Sequence, residues 1–148
     1  MSYKGRYRLK NADKYKGDPD NLIYRSLWEL QCMKWCDHNP NVRYFSSEEI
    51  VVPYVNQVDK RYHRYYPDLM IEFVSGETLL VEIKPASQTR VPNRPSGRKT
   101  RRFVSESLTY VKNQSKWQAA EEYAKKRGWT FRIWTEHDLK ALGIRVIS

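Results

Sequence analysis

Two acids and a lysine stand among apolar residues in a chain otherwise crowded with basic ones: Asp68 in Tyr66-Pro67-Asp68-Leu69-Met70, and Glu82 and Lys84 in Val81-Glu82-Ile83-Lys84-Pro85. Residues two apart on a strand share a face, so Glu82 and Lys84 point one way while Val81 and Ile83 point the other. If the two segments are neighbouring strands joined by a turn at Ser75-Gly76, Asp68 folds back beside Glu82. Two carboxylates then converge with an ammonium next to them. That trio suits metal-assisted hydrolysis of a phosphodiester. Hard oxygen ligands hold Mg²⁺, which polarises phosphoryl oxygens and lowers the pKa of a bound water, while a lysine orients the attacking water or stabilises developing charge. The plain alternative for Glu-x-Lys is a cross-strand charge pair on a solvated face. The strand-end positions, the flanking Pro67 and Pro85 and the basic stretch that follows favour the metal site.

Glu29 adds a third carboxylate, in a segment with Trp28 and Leu30 that leaves it partly desolvated and in need of a partner. The alternatives are a place at the metal site and an Arg25–Glu29 ion pair, which has the less favourable orientation along a helix. Lys116 shares a helical face with Asn113 and Ala120 and is either a phosphate contact or an ordinary solvated position. Cys32, Cys36, His38 and His63 lack the paired spacing of a zinc site. The two cysteines, four apart, read as helix packing in a thiol-reducing compartment rather than as a disulfide.

The elements that must position these residues are legible from periodicity. Residues 1 to about 20 read as an extended basic arm ending in the turn Gly17-Asp18-Pro19-Asp20. Ile23, Leu27 and Leu30, with Trp28, Cys32 and Trp35 alongside, predict a helix running on to His38 and ended by Asn39-Pro40-Asn41. Three strands follow as a meander: Glu49 to Val55, Arg64 to Phe73 and Thr78 to Lys84, with turns at 56–60 and Ser75-Gly76. Prolines at 85, 92 and 95 make 85–102 a loop. Val104, Leu108, Val111, Trp117, Ala120 and Ala124 predict a long helix capped by Gly128. Trp129 to Trp134 alternates as a strand, and Thr135-x-x-Asp138 reads as a capping box opening a short helix. The fold class is α/β with a mixed central sheet flanked by helices, in one domain spanning 1–148.

Charge identifies the partner. The formal net charge is +10 over 148 residues, a surplus that favours polyanions through counterion release. It is unevenly placed. Arg90, Arg94, Arg98, Lys99, Arg101 and Arg102 occur in the 85–102 loop without an acid, and Lys4, Arg6, Arg8, Lys10, Lys14 and Lys16 interleave with Tyr3, Tyr7 and Tyr15. Two such runs point to nucleic acid held by its phosphates. No run approaches the eighteen or so apolar residues of a membrane span, and the opening Met1-Ser2-Tyr3-Lys4 is not a secretory signal, so a soluble intracellular protein is expected.

With Glu29 on a helix, Pro67-Asp68 at a strand start and Glu82-Ile83-Lys84 on the next, the chain resembles the PD-(D/E)xK, or restriction-endonuclease-like, nuclease superfamily. A fuller likeness runs through Tyr15-Lys16-Gly17-Asp18-Pro19, Tyr24-Arg25-Ser26-Leu27-Trp28-Glu29, Val52-Pro53-Tyr54, Arg64-Tyr65-Tyr66-Pro67-Asp68, Glu82-Ile83-Lys84-Pro85, Lys116-Trp117-Gln118-Ala119-Ala120 and Phe131-Arg132-Ile133-Trp134-Thr135-Glu136. These segments resemble the head completion nucleases of contractile-tailed bacteriophages, and the last also resembles the end-cleaving endonuclease subunit of some transposons. The resemblance implies a restriction-endonuclease-like core and a Mg²⁺-dependent deoxyribonuclease acting on double-stranded DNA, with Mn²⁺ as a substitute; phosphate contacts from the basic arm and the 85–102 loop give affinity without sequence information, so little sequence specificity is expected. Asp68, Glu82 and the Ile83 carbonyl would be metal ligands, Glu29 a further candidate, and Lys84 the catalytic lysine. It also implies action in the host cytoplasm during virion assembly, with portal or neck proteins as partners and retention in the virion. Endonuclease and exonuclease action and the oligomeric state stay open. So do two rival readings: a non-catalytic DNA-binding head–tail adaptor on this scaffold, and a transposon-end or junction-resolving endonuclease.

Overall fold

The computed structural model describes residues 4–147; Tyr3 of the basic N-terminal run lies outside them. Its elements are strands β1 (Gly5–Arg6) and β2 (Ile23–Tyr24), helix α1 (Leu27–His38), strands β3 (Val42–Ser47), β4 (Val52–Asn56), β5 (Arg61–Tyr65), β6 (Leu69–Phe73) and β7 (Thr78–Ile83), helix α2 (Arg101–Lys126), strand β8 (Thr130–Trp134) and helix α3 (Glu136–Ala141). The central sheet has the order β3-β6-β7-β8. Strand β6 runs antiparallel to both of its neighbours, β3 and β7, and β8 joins β7 in parallel through the α2 crossover. This mixed α/β architecture is consistent with the expected restriction-endonuclease-like core. Among the described residues no helix is long and apolar enough to cross a membrane.

Alternation along β7 builds the core on both faces of the sheet. Leu79 and Val81 enter a cluster with Cys32, Met33 and Cys36 of α1 and Phe45 of β3, whereas Leu80 enters a second with Trp117, Ala120 and Ala124 of α2 and Tyr54 and Tyr65 of the β4–β5 hairpin. Leu80 and Val81 are fully enclosed, each contributing about 1.5–3 kcal/mol by leaving water. Both cysteines are free and lie in the first cluster, as packing residues.

Several boundaries depart from expectation. The first helix starts at Leu27, because Ser26 is extended and its hydroxyl accepts the Glu29 N–H; Ile23 instead lies on β2, paired with β1. The meander is wrong in two respects. Val42–Ser47 forms a strand, β3, that completes the edge of the central sheet beside β6. The long strand expected from Arg64 to Phe73 is two strands in two sheets: β5 closes a separate hairpin with β4, and β6 enters the central sheet. Pro67, without an N–H to give a ladder, sits at that transfer and is fully buried. The turns at 56–60 and Ser75-Gly76 are as expected, with Gly76 at φ +94°, a region open to glycine.

The N-terminal run is not an extended arm. Tyr7 and Tyr15 are buried in the core, and Asp37, fully enclosed near the end of α1, accepts the Tyr7 hydroxyl at 2.7 Å and the Lys10 and Asn11 N–H groups at 2.8 and 3.0 Å. Lys14 donates to the Asp37 and Asn39 carbonyls, and Lys16 lies over the Tyr44 ring and near Glu72. These two lysines are engaged by the protein itself. At the other end, α2 begins at Arg101, with Thr100 as its cap, so Arg101 and Arg102 lie on the helix rather than in the loop. The short helix α3 has the expected capping box between Thr135 and Asp138.

Candidate active site

Pairing of β6 with β7 sets Leu69 opposite Val81. One step further along the same register brings Asp68, just outside β6, beside Glu82. The backbone also reaches across: the Ile83 N–H donates to Asp68 Oδ2 at 2.7 Å. Glu82 is 8% exposed, and its Oε1 accepts the Tyr65 hydroxyl at 2.9 Å. Each acid therefore has one fixed donor. Burial, and then the charge of Glu82, push the Asp68 carboxyl well above the ordinary carboxylate range, against the pull of the Ile83 N–H. A buried pair of like charges resists full ionisation until a cation joins it.

The pair is the extent of the close cluster. Among the described residues no three His, Cys, Asp or Glu side chains converge as a metal-ligating group, so Glu29 does not complete a triad with Asp68 and Glu82. It stands at the start of α1, where its Oε2 accepts the Arg25 N–H at 2.7 Å. Burial raises its pKa, the Arg25 N–H opposes that, and the charges of Glu48 and Glu82 add to it. Glu29 also raises Asp68, so it acts on the pair through space. The Arg25–Glu29 side-chain pair does not form: the Arg25 guanidinium binds Glu48 instead.

Lys84 follows the end of β7, its N–H bound to the Trp134 carbonyl at 3.0 Å. It lines, with Glu29, Ile83 and Gln88, a cavity of about 410 Å³. Lys116 approaches from α2, half-buried, its ammonium 5.5 Å from the centre of the Tyr65 ring whose hydroxyl holds Glu82. Burial, then Lys112, lowers its pKa, against the attraction of Glu82 and Asp68. The remaining basic candidates, Arg90, Arg94, Arg98, Lys99, Arg101 and Arg102, are exposed along the loop and the first turn of α2. The start of that loop is tied down, since the Ala86 N–H donates to Glu136 of α3 at 2.8 Å.

Four residues near the site were not expected. Tyr65 holds Glu82. Trp117 carries a buried indole N–H that approaches the Tyr65 oxygen without a full hydrogen bond. Glu48 adopts a left-handed backbone, φ 53°, with its N–H on the Asp68 carbonyl at 3.2 Å, and Arg25 bridges it towards Glu29. Arg25, Tyr65 and Trp117 all fall in segments that carry the family resemblance, while nothing in the sequence around Glu48 marks a positive φ at a glutamate.

Residues 39–136 match the family model described as the TnsA-like endonuclease N-terminal domain, a span that takes in Asp68, Glu82, Lys84 and Lys116. The chain belongs to the TnsA-like endonucleases. Within that class its similarity extends to a phage protein: it is 40% identical to the head completion nuclease of Enterobacteria phage T4, over 98% of this chain and 99% of the relative. Both likenesses seen in the sequence, to transposon-end endonucleases and to phage head completion nucleases, are therefore upheld. The match at that identity across both chains makes this protein a nuclease of the same family.

Proposed function

We propose that the protein is a metal-dependent endonuclease that cuts double-stranded DNA with little sequence preference while a phage head is completed for its tail. The observation that carries this is the Asp68–Glu82 pair: two carboxylates set side by side at a strand end, Asp68 raised by burial and by its neighbour. Oxygen donors of this kind suit a hard divalent cation. Asp68, Glu82 and the Ile83 carbonyl would hold Mg²⁺, with Mn²⁺ as a substitute. Bound there, the ion would polarise a phosphoryl oxygen and supply a water of lowered pKa.

The chain's own residues do the rest. Ile83 N–H and Tyr65 keep one oxygen of each acid occupied and so aim the other. Lys84 orients the attacking water, and Lys116, over the Tyr65 ring beside Glu82, offsets charge that grows on the phosphate. Glu29 orders the hydration at the α1 side. Arg90, Arg94, Arg98, Lys99, Arg101 and Arg102 hold phosphates, which supplies affinity without reading bases. The name of the T4 relative supports the assembly role; action in the host cytoplasm, association with portal or neck proteins and retention in the virion are proposed along with it.

Incubating wild type and Glu82→Ala with linear and circular duplex DNA, in Mg²⁺ or chelator, tests this reading. Cleavage should require both the ion and Glu82, and cutting of the circle should show internal action. DNA binding without any cleavage by the wild type would favour a non-catalytic adaptor instead.

A further inference from the structure

A second cleft lies between the 85–92 segment and the N-terminal half of α2. Its volume is about 480 Å³, and its walls include Gln88, Arg90, Arg102, Glu106, Tyr110 and Asn113. It adjoins the candidate active site in two ways. Gln88 lines both this cleft and the cavity over Lys84 and Glu29. On α2, Asn113 precedes Lys116 by one turn, about 5 Å along the axis.

Size and lining select the occupant. The volume falls within the range of small-ligand pockets, about 300–1,000 Å³, so a duplex cannot enter but a single nucleotide can. Asn113 is only 6% exposed, and a buried carboxamide needs partners; this one faces the cleft. Carboxamides such as Asn113 and Gln88 match the donor and acceptor pattern of base edges. Half-buried Tyr110 offers a ring on which any base stacks. Arg102 pairs with Glu106 at 2.7 Å on the exposed face, whereas Arg90, its Nε on the Ala86 carbonyl at 3.4 Å, has no carboxylate partner among the described residues and suits one phosphate.

We propose that this cleft holds one unpaired nucleotide of the strand being cut, next to the scissile phosphate. The inference rests on the nuclease reading and gives it a substrate class: DNA with a locally unpaired strand, as at a frayed end or tail. Drawing a base out of an intact duplex costs unstacking that an already unpaired base does not. Such DNA is therefore bound more tightly than a blunt duplex of the same charge.

The test uses fluorescence anisotropy in chelator, comparing a blunt duplex with one carrying a short unpaired tail and matched in number of phosphates. The tailed DNA should bind about tenfold tighter to the wild type. Tyr110→Ala and Asn113→Leu should each bring that ratio close to one. Thermal melting confirms folding, and the half-buried Tyr110 keeps the test decisive if Asn113→Leu does not fold. A wild-type ratio near one, or a ratio that both folded variants preserve, overturns the proposal. Cleavage of the blunt duplex in Mg²⁺ is scored separately, so a failed nuclease reading is distinguishable from a failed cleft.

Discussion

The Tyr65 hydroxyl donates a hydrogen bond to Oε1 of Glu82 across 2.9 Å, so a side chain from the β4–β5 hairpin fixes an acid of the central sheet. Replacing it with phenylalanine removes that donor while keeping the ring against Trp117 and Tyr54. A hydrogen bond to a charged group contributes about 1.5–3 kcal/mol. Tyr65→Phe should lower kcat by about tenfold, within what one such bond supplies, and should leave KM for DNA near its wild-type value. The Mg²⁺ needed for half-binding, read by calorimetry, should rise. An unchanged kcat and an unchanged metal titration would remove Tyr65 from the site.

The raised pKa of Asp68 has a defined sign in stability. A carboxyl that holds its proton more tightly folded than unfolded binds more protons in the native state, so stability falls as pH rises from the ordinary value of about 4 through the folded pKa. Glu29, also raised, adds in the same sense. Asp37 acts in reverse: burial would raise it, but the Lys10 N–H, the Tyr7 hydroxyl and the Asn11 N–H outweigh burial and lower it, so its contribution is lost as pH falls below about 4. In chelator, Asp68→Asn should flatten the decline in melting temperature above pH 4, and Mg²⁺ should flatten it in the wild type. A decline as steep in Asp68→Asn as in the wild type would show that Asp68 is not its source.

Asp37→Ala removes an acceptor that satisfies three donors and leaves them facing an enclosed space. Each neutral buried donor left without a partner costs about 1–3 kcal/mol. Denaturant unfolding should show a loss of that order. Limited proteolysis should cut the segment before α1 first, because the Asp37 carboxylate holds Tyr7, Lys10 and Asn11 of it.

Phosphate contacts set the salt dependence of binding. Each contact adds about 0.9 to the slope of log affinity against log salt, so the combined substitution of Arg94, Arg98 and Lys99 by alanine should reduce that slope by roughly two to three. An unchanged slope would place the DNA elsewhere on the surface.

That Asp68 lies beside Glu82 was legible because β6 and β7 pair regularly across the Ser75-Gly76 turn, with Leu69 opposite Val81, and Leu80 and Glu82 share a face by strand periodicity alone. Helix α2, its glycine end and the Thr135 capping box were legible for the same reason, since each depends on local chemistry. What failed depends on distant partners. Val42–Ser47 has a strand composition, yet its role appears only when β6 lies beside it. The break at Pro67 could be seen, but not that the chain changes sheets there. Lys14 and Lys16 look like an open basic arm until Asp37, Asn39, Tyr44 and Glu72 come to meet them. Glu48 and Arg25 reach the site by a backbone conformation that no local pattern announces.

Strand β7 is walled by apolar side chains on both faces, and its last residues are Glu82 and Ile83. In the function proposed above, the cutting edge is thus welded to the strand that both core clusters enclose. A blade mounted this way does not bend towards its target. Bringing a phosphate into line must fall to the DNA and to the 85–100 segment, so the pliancy of the duplex at a given point, rather than its sequence, would govern where the cut is made.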